Sequence, residues 1–506
     1  MKEPRVYLVG AGPGHPGYIT LRGLECLSRA EVVIYDRLVS PQILQQAPAD
    51  AELICVRDLA DLHVERSPHI NRLLIEKAKE GKCVVRLKGG DPLVFGRGGE
   101  EAELLHEAGI SFEIVPGVTA ALGAAACAGI PLTHRAYASG VAIVTGHEDP
   151  KKQESAIDWT ALAKFPGTIV IYMGFGRLET IVDALIEHGK APQTLAAAIQ
   201  WATRGDQRTV QAQLKHLPEQ VRNAGLQAPA TILIGPVVSL RDKLSWFEAR
   251  PLFGRRVLVT RPRHQASDLI RRLEELGAVC WSLPVVEIRE PLDWSPVDEA
   301  LSQLQEFDWL VFTSRNGVEA FFSRLRKIGL DLRALASTRI AVIGPATAEA
   351  VRRFYLEPDL IPAEFRSENL SQELREQVAG KRVLLARADR GRPLLFDQLA
   401  EVASVTQIAV YAQVDDIDIH SEAYRLVCAG EMEFVFVTSS NIARGFFGAL
   451  DEAGKQAVQT GRVKIVSISP VTSATVQELG FPVAAEAKEF TTEGMIAALL
   501  DLVNAK

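Results

Sequence analysis

Short runs of consecutive apolar residues alternate along the chain with longer stretches in which apolar residues recur every three or four positions. "VYLVG" (6–10), "VVIYD" (32–36), "CVVRL" (83–87), "VAIVTG" (141–146) and "GTIVIYMG" (167–174) read as buried strands. "INRLLIEKAKEGK" (70–82) and "LETIVDALIEHGK" (178–190) carry the period of amphipathic helices. Strands alternating with helices predict α/β layering. The rhythm breaks in "RDKLSWFEARPLFGRR" (241–256), where a polar, aromatic and proline-containing stretch precedes a fresh strand at Val257. Residues 246–254 therefore hold the linker, and the chain divides into a domain at 1–247, a connection at 248–253 and a second domain at 254–506.

The second domain contains an internal repeat. "TSRNGVEAFF" from Thr313 and "TSSNIARGFF" from Thr438 share T-S-x-N-x4-F-F at an offset of 125. "IGPATAEAV" from Ile343 and "ISPVTSATV" from Ile468 match at the same offset, and "GRRVLVTR" from Gly254 and "GKRVLLAR" from Gly380 lie 126 apart. Three matches at nearly one spacing imply two similar α/β lobes, and a cleft between lobes is a usual place for a ligand.

Composition narrows the function classes. The 506 residues exceed what one core holds, and 47% hydrophobic with 24% charged residues is the balance of a soluble globular protein. A net charge of -7 argues against a general nucleic-acid or anionic-membrane binder. The six cysteines form no C-x-x-C pair and no zinc spacing, so they read as reduced thiols with no metal site. No basic and apolar leader precedes the strand at Val6, which makes a cytoplasmic location the expectation. "GVTAALGAAACAGIPLT" (117–133) is too short and too weakly apolar to span a bilayer and predicts a close-packed helix.

The opening "VYLVGAGPGHPGYIT" (6–20) runs a strand into a glycine-rich turn. Gly10, Gly12 and Gly14, with Asp36 some two dozen residues on, suggest a dinucleotide site. However, His15 stands where a third fingerprint glycine belongs, and Pro13 removes an N–H from the turn that should cradle a pyrophosphate. A ligand without phosphate fits this turn better.

The turn is followed by "RLKGGDPLVFGRGGEE" (86–101), "VPGVTAALGAAACAGIPLTHR" (115–135), "VTGH" (144–147), "YMG" (172–174) and "PATILIGPVVSLRDKLSWF" (229–247). Over about residues 4–247 this ordered set resembles the tetrapyrrole methylase family, and more narrowly uroporphyrinogen-III C-methyltransferase. The resemblance implies S-adenosylmethionine as cofactor, a ligand with no phosphate. It places the cofactor contacts at Pro13, Gly89, Gly90, Asp91, Val94, Thr119, Ala120, Met173, Ala202 and Ala230, and it implies a homodimer through this half. Asp36 matches the family's proposed proton acceptor. Three places depart from the family pattern. In "VRDLADLHVERSPHIN" (56–71) the family glycine is Arg57 and the lysine usually cast as proton donor is Asp58, while His63, Ile70 and Asn71 are kept. A carboxylate for a cation reverses the local sign beside a polyanionic substrate unless Arg57 or Arg66 compensates. His15 and Cys127 replace a family Asp and Tyr.

"GRRVLVTRP", "FDWLVFTSRNGVEAFF", "IAVIGPATAEAV", "GKRVLLARA", "FVFVTSSN" and "ISPVTSATVQELG" make residues 254–506 similar to uroporphyrinogen-III synthase. That resemblance implies lobes at about 254–287 with 413–506 and at 292–410, joined by a two-stranded hinge. Thr313, Ser314, Thr438 and Ser439 follow apolar strands and open helical patterns, and Thr347 and Thr472 follow prolines at helix starts. Each is a plain helix cap or a ligand group; their repetition in both lobes favours a shared site for the carboxylates of the linear tetrapyrrole hydroxymethylbilane. Tyr411 matches the tyrosine suspected of assisting departure of the substrate hydroxyl, and Arg261 and Arg387 occupy equivalent repeat positions. The resulting expectation is an α/β enzyme acting on small tetrapyrroles. It would make uroporphyrinogen III in its second half and methylate it to precorrin-2 in its first, toward siroheme or cobalamin. A second reading keeps the synthase and treats the first half as an impaired or repurposed module. A third, a solute-binding module fused to a dinucleotide oxidoreductase, is opposed by Pro13.

Overall fold

The computed structural model describes residues 5–56, 66–147, 157–391 and 393–505. Two compact units form, Met1–Arg255 with Glu274–Val279, and Arg256–Leu273 with Cys280–Lys506.

The first unit holds two sheets. One is built from β1 (Val6–Gly10), β2 (Val32–Tyr35), β3 (Glu52–Cys55), β4 (Val84–Lys88) and β5 (Phe112–Val115), ordered β3-β2-β4-β1-β5 and parallel throughout. Val6, Leu8, Ile34 and Val84 face one core while Tyr7, Val9, Val33 and Val85 face another. With both faces covered, strand residues are apolar without alternation. The chain order reverses at the β4–β1 pair, so the carboxyl ends of these two strands border the crevice where ligands bind in such sheets. The second sheet comprises β6 (Val141–Thr145), β7 (Thr168–Tyr172), β8 (Leu195–Gln200), β9 (Arg208–Gln213) and β10 (Ala230–Ile234), ordered β6-β7-β10-β8-β9. Only β6 and β7 are parallel neighbours there; β10 runs against β7 and β8. The Ala/Gly-rich stretch forms the helix Ala120–Ala128, six of whose nine residues are buried. Among the described residues no helix is long and apolar enough to cross a membrane.

In the second unit, β11 (Arg256–Val259), β12 (Val279–Ser282), β18 (Phe434–Val437), β19 (Lys464–Ser467) and β20 (Ala485–Glu486) make one sheet. The other joins β13 (Val286–Arg289), β14 (Trp309–Phe312), β15 (Arg339–Val342), β16 (Arg382–Ala388) and β17 (Ser404–Asp415). The repeat is structural down to register. Val257 pairs with Phe434 and Phe434 with Lys464 in one lobe; Val383 pairs with Trp309 and Trp309 with Arg339 in the other. β17 serves two neighbours, its first part running parallel to β16 and its end, Ala412–Asp415, pairing antiparallel with β13. These two antiparallel segments lie where the chain passes between the lobes.

Candidate functional site

In the first unit the loops after β1, β4 and β5 converge backbone to backbone. A Cβ on Gly10 would stand 2.6 Å from the Gly117 backbone and from Gly90 O, so no side chain fits between them. Gly90 N donates to Gly12 O at 2.8 Å and Gly12 N to Gly90 O at 3.2 Å. Ala11 N donates to Lys88 O at 2.7 Å and His15 N to Thr203 Oγ1 at 3.1 Å. With Pro13 lacking an N–H, the turn has little left to offer a pyrophosphate, which answers the dinucleotide reading on structural grounds.

Hydrogen bonds at two joints draw the loops of the two sheets together. The Tyr172 hydroxyl, at the end of β7, pairs with Thr119 Oγ1 at 2.7 Å and accepts from Ala121 N at the start of the helix. Burial pushes this phenol up from its ordinary value and keeps it neutral. The His15–Thr203 bond ties the glycine turn to the loop after β8. The ten positions expected as cofactor contacts are distributed as follows. Pro13 packs on the helix at Gly123, where a Cβ would lie 2.6 Å from its ring. Gly89 is exposed, a Cβ there meeting only Leu38 Cβ at 3.9 Å, and Gly90 holds φ +69. Asp91 is a strut, its Oδ1 accepting from Leu93 N at 2.8 Å and Oδ2 from Gly117 N at 3.0 Å. Val94 and Ala120 pack partly buried against the core under the helix. Thr119 is the helix N-cap residue, Met173 is 53% exposed at the mouth, Ala202 follows β8, and Ala230 pairs with Gln200. Non-glycine residues with left-handed backbone gather here too: Phe95, Arg97, Met173, Trp201 and Thr203. Such strain persists where the surroundings enforce it, commonly at ligand sites.

Asp36 follows β2, its N–H bonded to Leu87 O at 3.1 Å. Arg86, buried in β4, donates through Nη2 to Asp36 Oδ1 at 2.5 Å and through Nε to Glu101 Oε1 at 3.2 Å. Lys88 Nζ reaches the same Glu101 oxygen at 2.8 Å. Burial, reinforced by Arg86, holds the Lys88 ammonium below its ordinary value. The network balances two cations with two carboxylates and fixes the Asp36 side chain, itself 34% exposed. The sequence reading passed over Arg86, Lys88, Glu101, Tyr172 and Thr203; the charges in "RLK", inside an otherwise apolar strand, were the available sign.

The family departures divide. Arg57, Asp58 and His63 lie outside the described residues, as does the Arg66 side chain, while Ile70 and Asn71 fall in the helix Arg66–Lys79. His15 and Cys127 both sit on Tyr18, with rings 5.5 Å apart and Sγ 3.9 Å from the phenol oxygen. His15 Nδ1 accepts from Gly17 N at 3.0 Å, and burial lowers the imidazole's proton affinity.

In the second unit Ser314 caps the helix Arg315–Lys327, accepting from Gly317 N at 3.0 Å, and Ser439 caps Ser440–Ala449, accepting from Ile442 N at 3.2 Å. Thr313 and Thr438 precede them, half-buried. The structure brings Tyr411 to this point: its hydroxyl lies 3.0 Å from Ser314 Oγ. Tyr411 is 5% exposed, and burial raises its phenol against the opposing hydrogen bonds of Ser314 and Gln413. Thr347 and Thr472 are also buried, in the first turns of Pro345–Arg352 and Pro470–Glu478. The Thr472 hydroxyl is engaged with Ser469 Oγ at 3.2 Å, so it serves its own helix end in this conformation. Among the described residues no group of three or more His, Cys, Asp or Glu could hold a metal ion.

Residues 5–218 match the family described as Tetrapyrrole (Corrin/Porphyrin) Methylases, and residues 267–497 match Uroporphyrinogen-III synthase HemD. The porphyrin biosynthesis protein HemD of Ruminiclostridium josui is 37% identical over 462 residues, 89% of this chain and 90% of that protein. An S-adenosyl-L-methionine-dependent uroporphyrinogen III methyltransferase of Methanosarcina barkeri is 50% identical over 240 residues, 47% of this chain and 94% of its own. A solved Thermus thermophilus uroporphyrin-III C-methyl transferase, complexed with S-adenyl homocysteine, aligns at 39% identity and a TM-score of 0.40, covering 47% of this chain and 99% of that one.

Proposed function

The chain belongs to the tetrapyrrole methylase family in its first unit and to the uroporphyrinogen-III synthase family in its second, and from that premise we propose a bifunctional enzyme. It cyclises hydroxymethylbilane to uroporphyrinogen III, then transfers methyl groups from S-adenosylmethionine to two pyrrole carbons. The product is precorrin-2, toward siroheme or cobalamin.

The methylase reading is supported above all by the joints at Tyr172 and Thr203, which bring the glycine turn, the helix start at Thr119 and the loop after β8 together, while Ala11, Gly12 and His15 spend their N–H groups within the fold. The open backbone at Gly89 and the half-exposed Met173 fit an adenosine and a sulfonium. When bound, S-adenosylmethionine supplies an electrophilic methyl group. The protein's part is alignment and proton management. Asp36, oriented by Arg86 through Oδ1, is placed to accept the proton released at the methylated macrocycle.

In the second unit Tyr411 remains a neutral phenol and, partnered by Ser314, is suited to donate to the departing hydroxyl. The N–H groups at the helix starts beside Thr313, Ser314, Thr347, Thr438, Ser439 and Thr472 favour substrate carboxylates in both lobes. A homodimer through the first unit fits the surface formed by Leu122, Leu244 and Trp246, each about half exposed, with Trp246 Nε1 bonded to Ala126 O. Sedimentation of the purified chain tests this.

The deciding experiment supplies fresh hydroxymethylbilane with and without S-adenosylmethionine and resolves product isomers and masses. Type III product in both samples, with two added methyl groups only when cofactor is present, supports the whole reading. Type III product that is never methylated favours the second reading, a synthase with a repurposed first half, which Asp58 in place of the family lysine motivates. The spontaneous type I isomer alone refutes both.

A further inference from the structure

Arg261 and Arg387 are equivalent by the repeat but not by surroundings. Arg387 is 8% exposed, and its Nη1 donates to Gln407 Oε1 at 3.4 Å. Arg261, just beyond the carboxyl end of β11, is half-buried and, among the described residues, makes no hydrogen bond or ion pair. The nearby charge is of its own sign. Arg315, exposed at the first turn of Arg315–Lys327 in the other lobe, likewise has no partner among the described residues. Burial first, and then Arg315, lower the guanidinium of Arg261 from its ordinary value. The two segments meet across the cleft through a neutral contact, Gln265 Nε2 donating to Asn316 Oδ1 at 2.7 Å.

Arg261, partly withdrawn from water, and the exposed Arg315 near it have no counterion among the described residues, and their repulsion opposes the contact that joins the two segments. A carboxylate between them would turn the repulsion into forked, charge-assisted hydrogen bonds from both sides. We propose that Arg261 and Arg315 form a two-sided clamp for one carboxylate of the ligand, and that closure of this edge of the cleft depends on that anion. The clamp rests on reading the second unit as acting on a polycarboxylate tetrapyrrole. It makes the two arginines positioning residues that register the bent chain of the substrate against Tyr411.

The test is hydrogen exchange measured by mass spectrometry on the full chain, with uroporphyrin III as a stable probe. Peptides spanning 256–275 and 309–327 report the cleft locally, whatever binds in the first unit. Wild type gains protection there on adding the probe. Arg261→Gln and Arg315→Gln each raise the half-protection concentration roughly tenfold or more, and Arg261→Lys falls between. Without probe, Arg261→Gln exchanges more slowly than wild type at 309–327, because the repulsion is gone. Gln variants that melt like wild type and are protected at the wild-type concentration overturn the clamp. So does unchanged exchange without the probe. If Arg261→Gln fails to fold, Arg315→Gln, on an exposed helix start, decides the matter by its probe titration. Failure of wild type to make the type III isomer would instead remove the underlying reading.

Discussion

Replacing Tyr172 by Phe removes one oxygen from the seam between the two sheets of the first unit. That oxygen is buried, pairs with Thr119 Oγ1 at 2.7 Å and accepts from Ala121 N. Ala121 is the second residue of its helix, so its N–H has no acceptor within the helix. Phe would leave two buried polar groups facing a hydrocarbon edge, at a cost of about 1–3 kcal/mol. For a unit of this size each kcal/mol moves the melting temperature by roughly 2–4 °C, so a fall of about 2–12 °C is expected. Thr119 and Ala120 also line the proposed cofactor site, and the affinity for S-adenosylmethionine should weaken about tenfold, the equivalent of ~1.4 kcal/mol. Differential scanning calorimetry reads the first effect in the transition that rises with added cofactor, and titration calorimetry reads the second. Synthase turnover in the same sample is the internal control and should hold. A Tyr172→Phe protein that melts within about 1 °C of wild type and binds the cofactor equally well would refute the role given to this hydroxyl.

Gly117→Ala places a Cβ 2.7 Å from Gly10 Cα, forcing the loops after β1 and β5 apart; cofactor binding should be lost by titration calorimetry while type III product still forms. Tyr411→Phe should lower synthase kcat by about tenfold or more with little change in KM, and leave methylation of supplied uroporphyrinogen III untouched. An unchanged kcat would make Tyr411 structural. Glu274, bonded by Gln42 at 2.6 Å, is pushed up to about 6 by burial. Its folded form holds the proton more tightly than the unfolded chain, so this contribution to stability is complete below the ordinary value of 4.5 and disappears as pH rises through about 6. Glu274→Gln should therefore stabilise the protein by roughly 1–2 kcal/mol near pH 7.5 and by almost nothing near pH 4, by urea unfolding at both. Equal effects at the two pH values would contradict the assigned cause.

The repeat was legible because strand pairing converts a sequence offset into a register: Trp309 with Arg339 and Phe434 with Lys464 are the same pair 125 residues apart. The loops proposed to hold the cofactor were legible as an ordered set, since each glycine-rich stretch follows an apolar strand. The joints were not, because they are single bonds between residues far apart in sequence, such as His15 with Thr203 and Thr119 with Tyr172. The repeat also misled. It makes Arg261 and Arg387 look alike, yet their surroundings differ, Gln407 beside one and Arg315 near the other. Thr347 and Thr472 match in sequence, yet the helix of one is capped by Gly344, without a side chain, and that of the other by Ser469.

The two lobes share strand order but not chain order. The lobe holding β14–β16 is made from one continuous stretch, whereas its twin takes β11 from before that stretch and β18 and β19 from after it. Arg256 finds Glu433, 177 positions further along the chain. During synthesis the inner lobe is complete in sequence while the outer one still has an open sheet edge at β11, waiting for a partner not yet translated. Assembly is thus vectorial by construction: the continuous lobe can fold on the ribosome, and the split lobe closes last, stitching the earlier strand to the later ones. Frameshifts after β17 would leave a well-formed inner lobe carrying an unpaired outer strand, a species marked for aggregation or proteolysis.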